Sequence, residues 1–178
     1  MKAMDEPLTV DANGSPVSLD EEDWLICFVP GLLKRWWHPF VHDVHQHVFA
    51  IRPAGRGRWT VFDPWWSRLL TATLDSDQAR QFLRWAARGD VLRVRESIPG
   101  RSSQLCGWMT CAAQVSYLLG RPYRVWTPHR LFERLRREPN VSRVDMRALL
   151  TRQHGIETWG LGGRESDGAD DSAVLLSA

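Results

Sequence analysis

Three residues of this sequence have the types that a thiol-based reaction uses: Cys111, His47 and Asp63. Such chemistry needs a cysteine at a helix N-terminus, where the dipole and free amides favour the thiolate. It needs a histidine within reach as base, and a third polar group to orient that histidine. Cys111 follows Thr110 and precedes AAQVSYLLG, near the start of a segment with an apolar stripe. His47 falls inside HQHVFAIR, and Asp63 ends RWTVFD, directly before Pro64. Each residue also has an ordinary structural use. A helix cysteine is commonly a small core hydrophobe, and Asp before Pro commonly forms a turn. Their joint occurrence at the element positions required favours the chemical reading. Cys106 competes with Cys111: if the helix begins earlier, Cys106 holds its start. Five residues are about 500° of helix, so both thiols cannot face one histidine. Cys27, within WLICFV, reads as core.

The elements that must position these residues can be read from periodicity. Trp24–Val29 is a compact apolar run closed by Pro30 and Gly31. His45–Arg52 reads as a strand, with His45, His47, Phe49 and Ile51 on one face by parity. The turn residues at 52–57 lead into a return strand at Arg58–Asp63, and a further strand is expected over Arg68–Leu74. Strand pairing would bring Asp63 near His47 in one register, which the sequence leaves open. A helix capped by Asp75 or Ser76 follows, with Ala79, Phe82, Leu83 and Ala86 on its inner face and Gly89 as its stop. Val91–Glu96 is another strand. A helix starts between Ser103 and Thr110 and runs to Leu119, lined by Trp108, Ala112, Val115 and Leu119, and Gly120 ends it. Tyr123–Trp126 reads as a short strand. Thr127 and Pro128 start a helix that buries Leu131, Phe132 and Leu135. A last helix covers about Arg143–Gln153. The expected fold is α+β: an antiparallel sheet with helices packed mainly on one side. Residues 1–20 read as a flexible acidic segment, 21–159 as a single domain, and 160–178 as a flexible acidic tail.

A second cluster, His38, His42, His45 and His47, offers imidazoles within ten residues. Histidines two apart on a strand can share a metal, and Asp43 is a further donor. No matching cysteine or carboxylate pair completes a familiar spacing. The expectation is therefore no metal and no cofactor. Phosphate-binding glycine loops, paired glycosidase acids and GxSxG are all missing from the sequence.

The chain has 178 residues and a formal net charge of +2, which conceals a segregation. Residues 1–23 hold seven acids against Lys2, while 24–164 hold 22 bases against 10 acids, nearly all of the bases arginine. Together with ten tryptophans, including the Trp36-Trp37 and Trp65-Trp66 doublets, this suits a binding surface for a protein partner or nucleic acid. An Arg-rich solvated surface, with tryptophans filling the core, is the plain alternative. No apolar run approaches the roughly 18 residues of a membrane span, and MKAMDEPLTVDANGS lacks a signal region. Three cysteines without framework spacing predict free thiols in a reducing compartment.

The segments HVFAIRPAGRGRWTVFDP and CAAQVSYLLGRPYRVWTPHRLFERL resemble small proteins of tailed bacteriophages and prophages. The shared order is a strand histidine, an Asp-Pro after the next strand, a Cys-led helix ending in Leu-Gly, and a Thr-Pro helix. That order is similar to circularly permuted papain-like folds of the NlpC type, over roughly residues 45–137. The resemblance implies Cys111 as nucleophile, His47 as base and Asp63 as orienting group. It implies hydrolysis of a peptide or peptidoglycan amide through a thioester, in the host cytoplasm or the virion. It also implies an alternative: a non-catalytic virion or assembly part that reuses the fold.

Overall fold

The computed structural model describes residues 10, 15–17, 19–33, 40–65, 68–98 and 110–151. Its centre is a six-stranded antiparallel sheet in the order β4-β3-β2-β1-β5-β6. The strands are β1 (Asp23–Val29), β2 (His47–Gly55), β3 (Arg58–Pro64), β4 (Leu69–Leu74), β5 (Asp90–Arg95) and β6 (Ser142–Arg143). The helices are α1 (Ser76–Ala86), α2 (Cys111–Leu118), α3 (Pro128–Leu135) and α4 (Met146–Thr151). The fold is α+β. No helix among the described residues is long and apolar enough to cross a membrane.

Helices cover both faces of the sheet, not mainly one as the sequence reading expected. Trp24, Ile26, Phe28, Val48, Ala50, Leu92 and Val94 face α2 and α3. Leu25, Cys27, Val29, Phe49, Ile51 and Val61 face α1 and α4. The physical reason lies in β1, where Trp24 through Val29 are all buried. A strand apolar at both parities needs a cover on each side. Full burial of one such side chain is worth about 1.5–3 kcal/mol, so leaving either face bare would be costly.

Local chemistry sets most boundaries. The β2–β3 hairpin turns at Gly55, Arg56 and Gly57, all with positive φ, and a register shift lies between Pro53 and Gly55. Asp75 caps α1 in a reciprocal box: its carboxylate accepts from Gln78 N at 2.8 Å, and the Gln78 side chain accepts from Asp75 N at 3.2 Å. Thr110 and Thr127 cap α2 and α3 through their hydroxyls, and Pro128 opens α3. Gly89 is a close approach, since a Cβ there would fall 1.9 Å from the Phe28 carbonyl oxygen.

Two elements differ from expectation. Residues 123–126 form no strand, and the two-residue β6 takes the outer side of β5. The loop is instead clamped by Glu138, which accepts from Arg121 Nη2 at 2.9 Å and from the Tyr123 hydroxyl at 2.8 Å. The acids Glu21, Glu22 and Asp23 pair with Arg95, Arg52 and Arg93, so part of the acidic N-terminal charge neutralises the basic body.

Candidate thiol–histidine site

The site is assembled at one end of the central strands. Ala50 pairs with Phe62, which sets Asp63 level with Phe49, one step diagonally from His47 on the same face. The register left open by the sequence is thus the one that joins them. Asp63 Oδ1 lies 2.6 Å from His47 Nε2, and both side chains are almost wholly buried. The second carboxylate oxygen accepts from the Trp65 indole N–H at 2.7 Å. Asp63 is therefore held at both oxygens, and it fixes the His47 ring through Nε2.

Aromatic rings enclose the imidazole. Trp65 stacks on it with centroids 4.9 Å apart, and Trp85 with centroids 5.6 Å apart. Trp85 is anchored by its indole N–H, which donates to the Pro30 carbonyl at 2.9 Å. The rings shield the His47–Asp63 hydrogen bond from water, which strengthens it.

Cys111 is the first residue of α2, half-buried, with Thr110 Oγ1 accepting from Ala113 N at 3.2 Å. This cap satisfies one of the orphan amides of the first turn. The amides of Cys111 and Ala112 have no acceptor within the helix, which suits them to hold a developing oxyanion. Cys111 acts on His47 as hydrogen-bond partner and through its charge. Burial alone would lower the His47 pKa. The hydrogen bonds to Asp63 and Cys111, with the charges of both, outweigh it and raise the value to about 9. His47 is therefore imidazolium at neutral pH, the state that pairs with a thiolate.

All three residues singled out from the sequence meet here. Cys106 and Trp108 lie outside the described residues, as do Trp36, Trp37 and Trp66. Cys27 is buried among apolar groups, which pushes its thiol pKa well up and makes it the inert cysteine expected. Trp65 and Trp85 were missed as parts of the site. The Trp65-Trp66 doublet beside Asp63-Pro64 was the available signal for Trp65. Trp85 carried none, because its role depends on how α1 packs. Of the other described tryptophans, Trp24 and Trp59 are buried in the core and Trp126 is half exposed.

The histidine cluster divides. His47 belongs to the thiol site. His45 precedes β2 and faces the other way, against Phe28 and Phe132, so the parity placing His45 and His47 together does not extend past the strand start. His42 and His45 instead meet His129, from the first turn of α3. His38 lies outside the described residues, and Asp43 is not one of the grouped donors. The chain, with this fold and this site, matches no family model, no curated protein and no solved structure.

Proposed function

We propose that the protein is a thiol hydrolase of permuted papain-like type, with Cys111 as nucleophile, His47 as acid–base and Asp63 as orienting carboxylate. The observation that carries this reading is the buried pairing of His47 with Asp63 at 2.6 Å, with Cys111 at a capped helix start near enough to raise the pKa of the ring. A core cysteine would have no use for a buried, acid-held imidazole. The substrate class is a carbonyl with a leaving amine, namely a peptide or peptidoglycan amide, and the resemblance to phage-encoded proteins favours the latter.

The steps follow from the residues. The Cys111 thiolate adds to the amide carbonyl carbon, and the α2 amides receive the oxyanion. The His47 imidazolium gives its proton to the departing amine as the C–N bond breaks, leaving a thioester on Cys111. Neutral His47 then takes a proton from water, which attacks the thioester. The acid is released and the thiolate–imidazolium pair returns. Asp63 holds the ring throughout.

The test is alkylation of the purified full chain by iodoacetamide, with the modified cysteine located by mass spectrometry. Cys111 is expected to react first, Cys27 not at all in the folded protein, and prior alkylation to abolish hydrolysis of peptidoglycan peptides. Modification of Cys106 in its place, with Cys111 untouched, would transfer the role to Cys106. Full hydrolytic activity of Cys111→Ala would end the proposal.

A further inference from the structure

We propose that His42, His45 and His129 form a binding site for a divalent first-row transition metal ion of the zinc type, with Asp90 orienting His45 from behind. The proposal is independent of the thiol reading. It rests on histidines that the Cys111–His47–Asp63 chemistry does not use.

One donor atom from each of the three residues lies within 4.8 Å of the others. They come from two distant parts of the chain, the segment before β2 and the first turn of α3. His45 Nδ1 and His129 Nδ1 are 3.1 Å apart. Two ring nitrogens at that distance share one proton at most. Zinc–nitrogen bonds of about 2.0–2.1 Å in a tetrahedron set ligand nitrogens roughly 3.3 Å apart. His45 and His129 therefore already stand within a few tenths of an ångström of a ligand pair.

The tautomer of His45 is fixed. Its Nε2 lies 2.9 Å from Asp90 Oδ2, and a carboxylate only accepts, so Nε2 carries the hydrogen and Nδ1 keeps the lone pair. Asp90 is itself held by Arg143 on its other oxygen. A carboxylate behind a histidine whose free nitrogen faces other imidazoles is the outer-shell arrangement of metal-bound histidine. Phe28 and Phe132 back the ring, with centroids 5.4 and 4.5 Å away. They lock its orientation and keep water from that side.

His42 completes the set by moving. Its exposed ring is stacked on His129 at 4.2 Å with 9° between planes, so the two rings cannot share an in-plane ion as they stand. Binding draws His42 out of the stack. That gives up the stacking on His129 and on His45, at 4.2 and 4.5 Å, and two long contacts in which Nδ1 accepts from the amides of Val44 and His45 at 3.3 Å. A three-imidazole donor set selects zinc, cobalt, nickel or copper over magnesium and calcium, which prefer oxygen. A solvent water would complete the tetrahedron. The bound ion would tie the segment leading into β2 to α3, bracing the strand start that carries His47.

The experiment is a zinc chloride titration of the chelator-stripped full chain by calorimetry, repeated with cobalt chloride and read by visible absorption. One ion per chain is expected, with a dissociation constant of roughly 1 μM or tighter, a tetrahedral cobalt spectrum and a rise in melting temperature with zinc. Cys111→Ser should bind equally well, which separates this site from a metal held by Cys111 and His47. His129→Ala and the exposed His42→Ala should each weaken binding at least about tenfold, and Asp90→Asn by about 10–100-fold. If His129→Ala fails to fold, His42→Ala carries the comparison. Binding that is absent in the folded wild type, that persists unchanged in His42→Ala, or that disappears in Cys111→Ser would each overturn the proposal.

Discussion

His45 and His47 are two residues apart, both buried, and each is paired with an aspartate, yet the fold drives them to opposite states. His47 meets Asp63 and Cys111, and its pKa rises to about 9. His45 has its pKa lowered: burial acts first, and the neighbouring His42 and His129 add to it, against the opposing pull of Asp90. One imidazole is kept charged and the other neutral. The sequence offers the same residue twice, and the difference comes from what each ring meets. His47 meets a carboxylate, a thiol and two indoles. His45 meets an aspartate, two more histidines and two phenyl rings.

The sharpest way to break this comparison is to remove each ring in turn. His47→Gln should lower amide hydrolysis by about 10²–10⁴-fold, the usual weight of a positioned acid–base group, while far-ultraviolet circular dichroism stays native. His45→Gln should leave the thiol chemistry within a few-fold of wild type. It should cost stability on the order of 1–3 kcal/mol, because the buried contact with Asp90 changes, read as a shift in urea midpoint. If both variants lose activity equally, the two histidine environments are not functionally separate.

Trp65→Phe sharpens the same contrast from the carboxylate side. It keeps a ring beside His47 and deletes the indole donor to Asp63 Oδ2. A hydrogen bond to a charged group is worth about 1.5–3 kcal/mol, so a loss of roughly tenfold or more in kcat is expected. The alkaline limb of the pH profile should move as well, since Asp63 holds the His47 proton. A purely structural Trp65 would lower stability and leave that limb in place.

Much of this was legible in residue order and spacing. Thr-Pro before HRLFERL marks the start of α3 and Asp-Pro after RWTVF the end of β3, and both hold, while the start of α2, left open between Ser103 and Thr110, falls at its late limit with Thr110 as cap. The hairpin followed from Gly55 and Gly57. What was not legible depends on tertiary contact. His129 stands 84 residues from His45, and only the packing of α3 on the sheet joins them. The two-sided cover of the sheet was written in WLICFV, where neither parity is polar. Residues 123–126 have strand-like composition, yet Arg121, Tyr123 and Glu138 form a cluster that holds them as a loop. The His45–His47 parity failed because pleat alternation applies only within the strand, and β2 begins at His47.

The last prediction concerns pH, where the two histidines act with opposite sign. The folded pKa of His47 is raised from 6.5 to about 9. The unfolded chain therefore binds fewer protons there between those values. The contribution of His47 to stability is fully present below about pH 6.5 and is lost as pH rises through about 9. The imidazolium needed to protonate the leaving amine disappears over the same range, so activity should fall on the same alkaline limb. His45 is lowered, so its contribution is present above pH 6.5 and is lost as pH falls through its folded value. Chemical denaturation across pH 5–10 should show stability declining at both ends. His47→Gln should flatten the alkaline decline alone, and His45→Gln the acid decline alone. Exposed His42→Ala, in metal-free protein, should leave the alkaline decline in place and soften the acid one, since His42 adds to the lowering of His45. An alkaline decline that survives His47→Gln would mean that the proton is held elsewhere, and the pairing of His47 with Cys111 would lose its main electrostatic support.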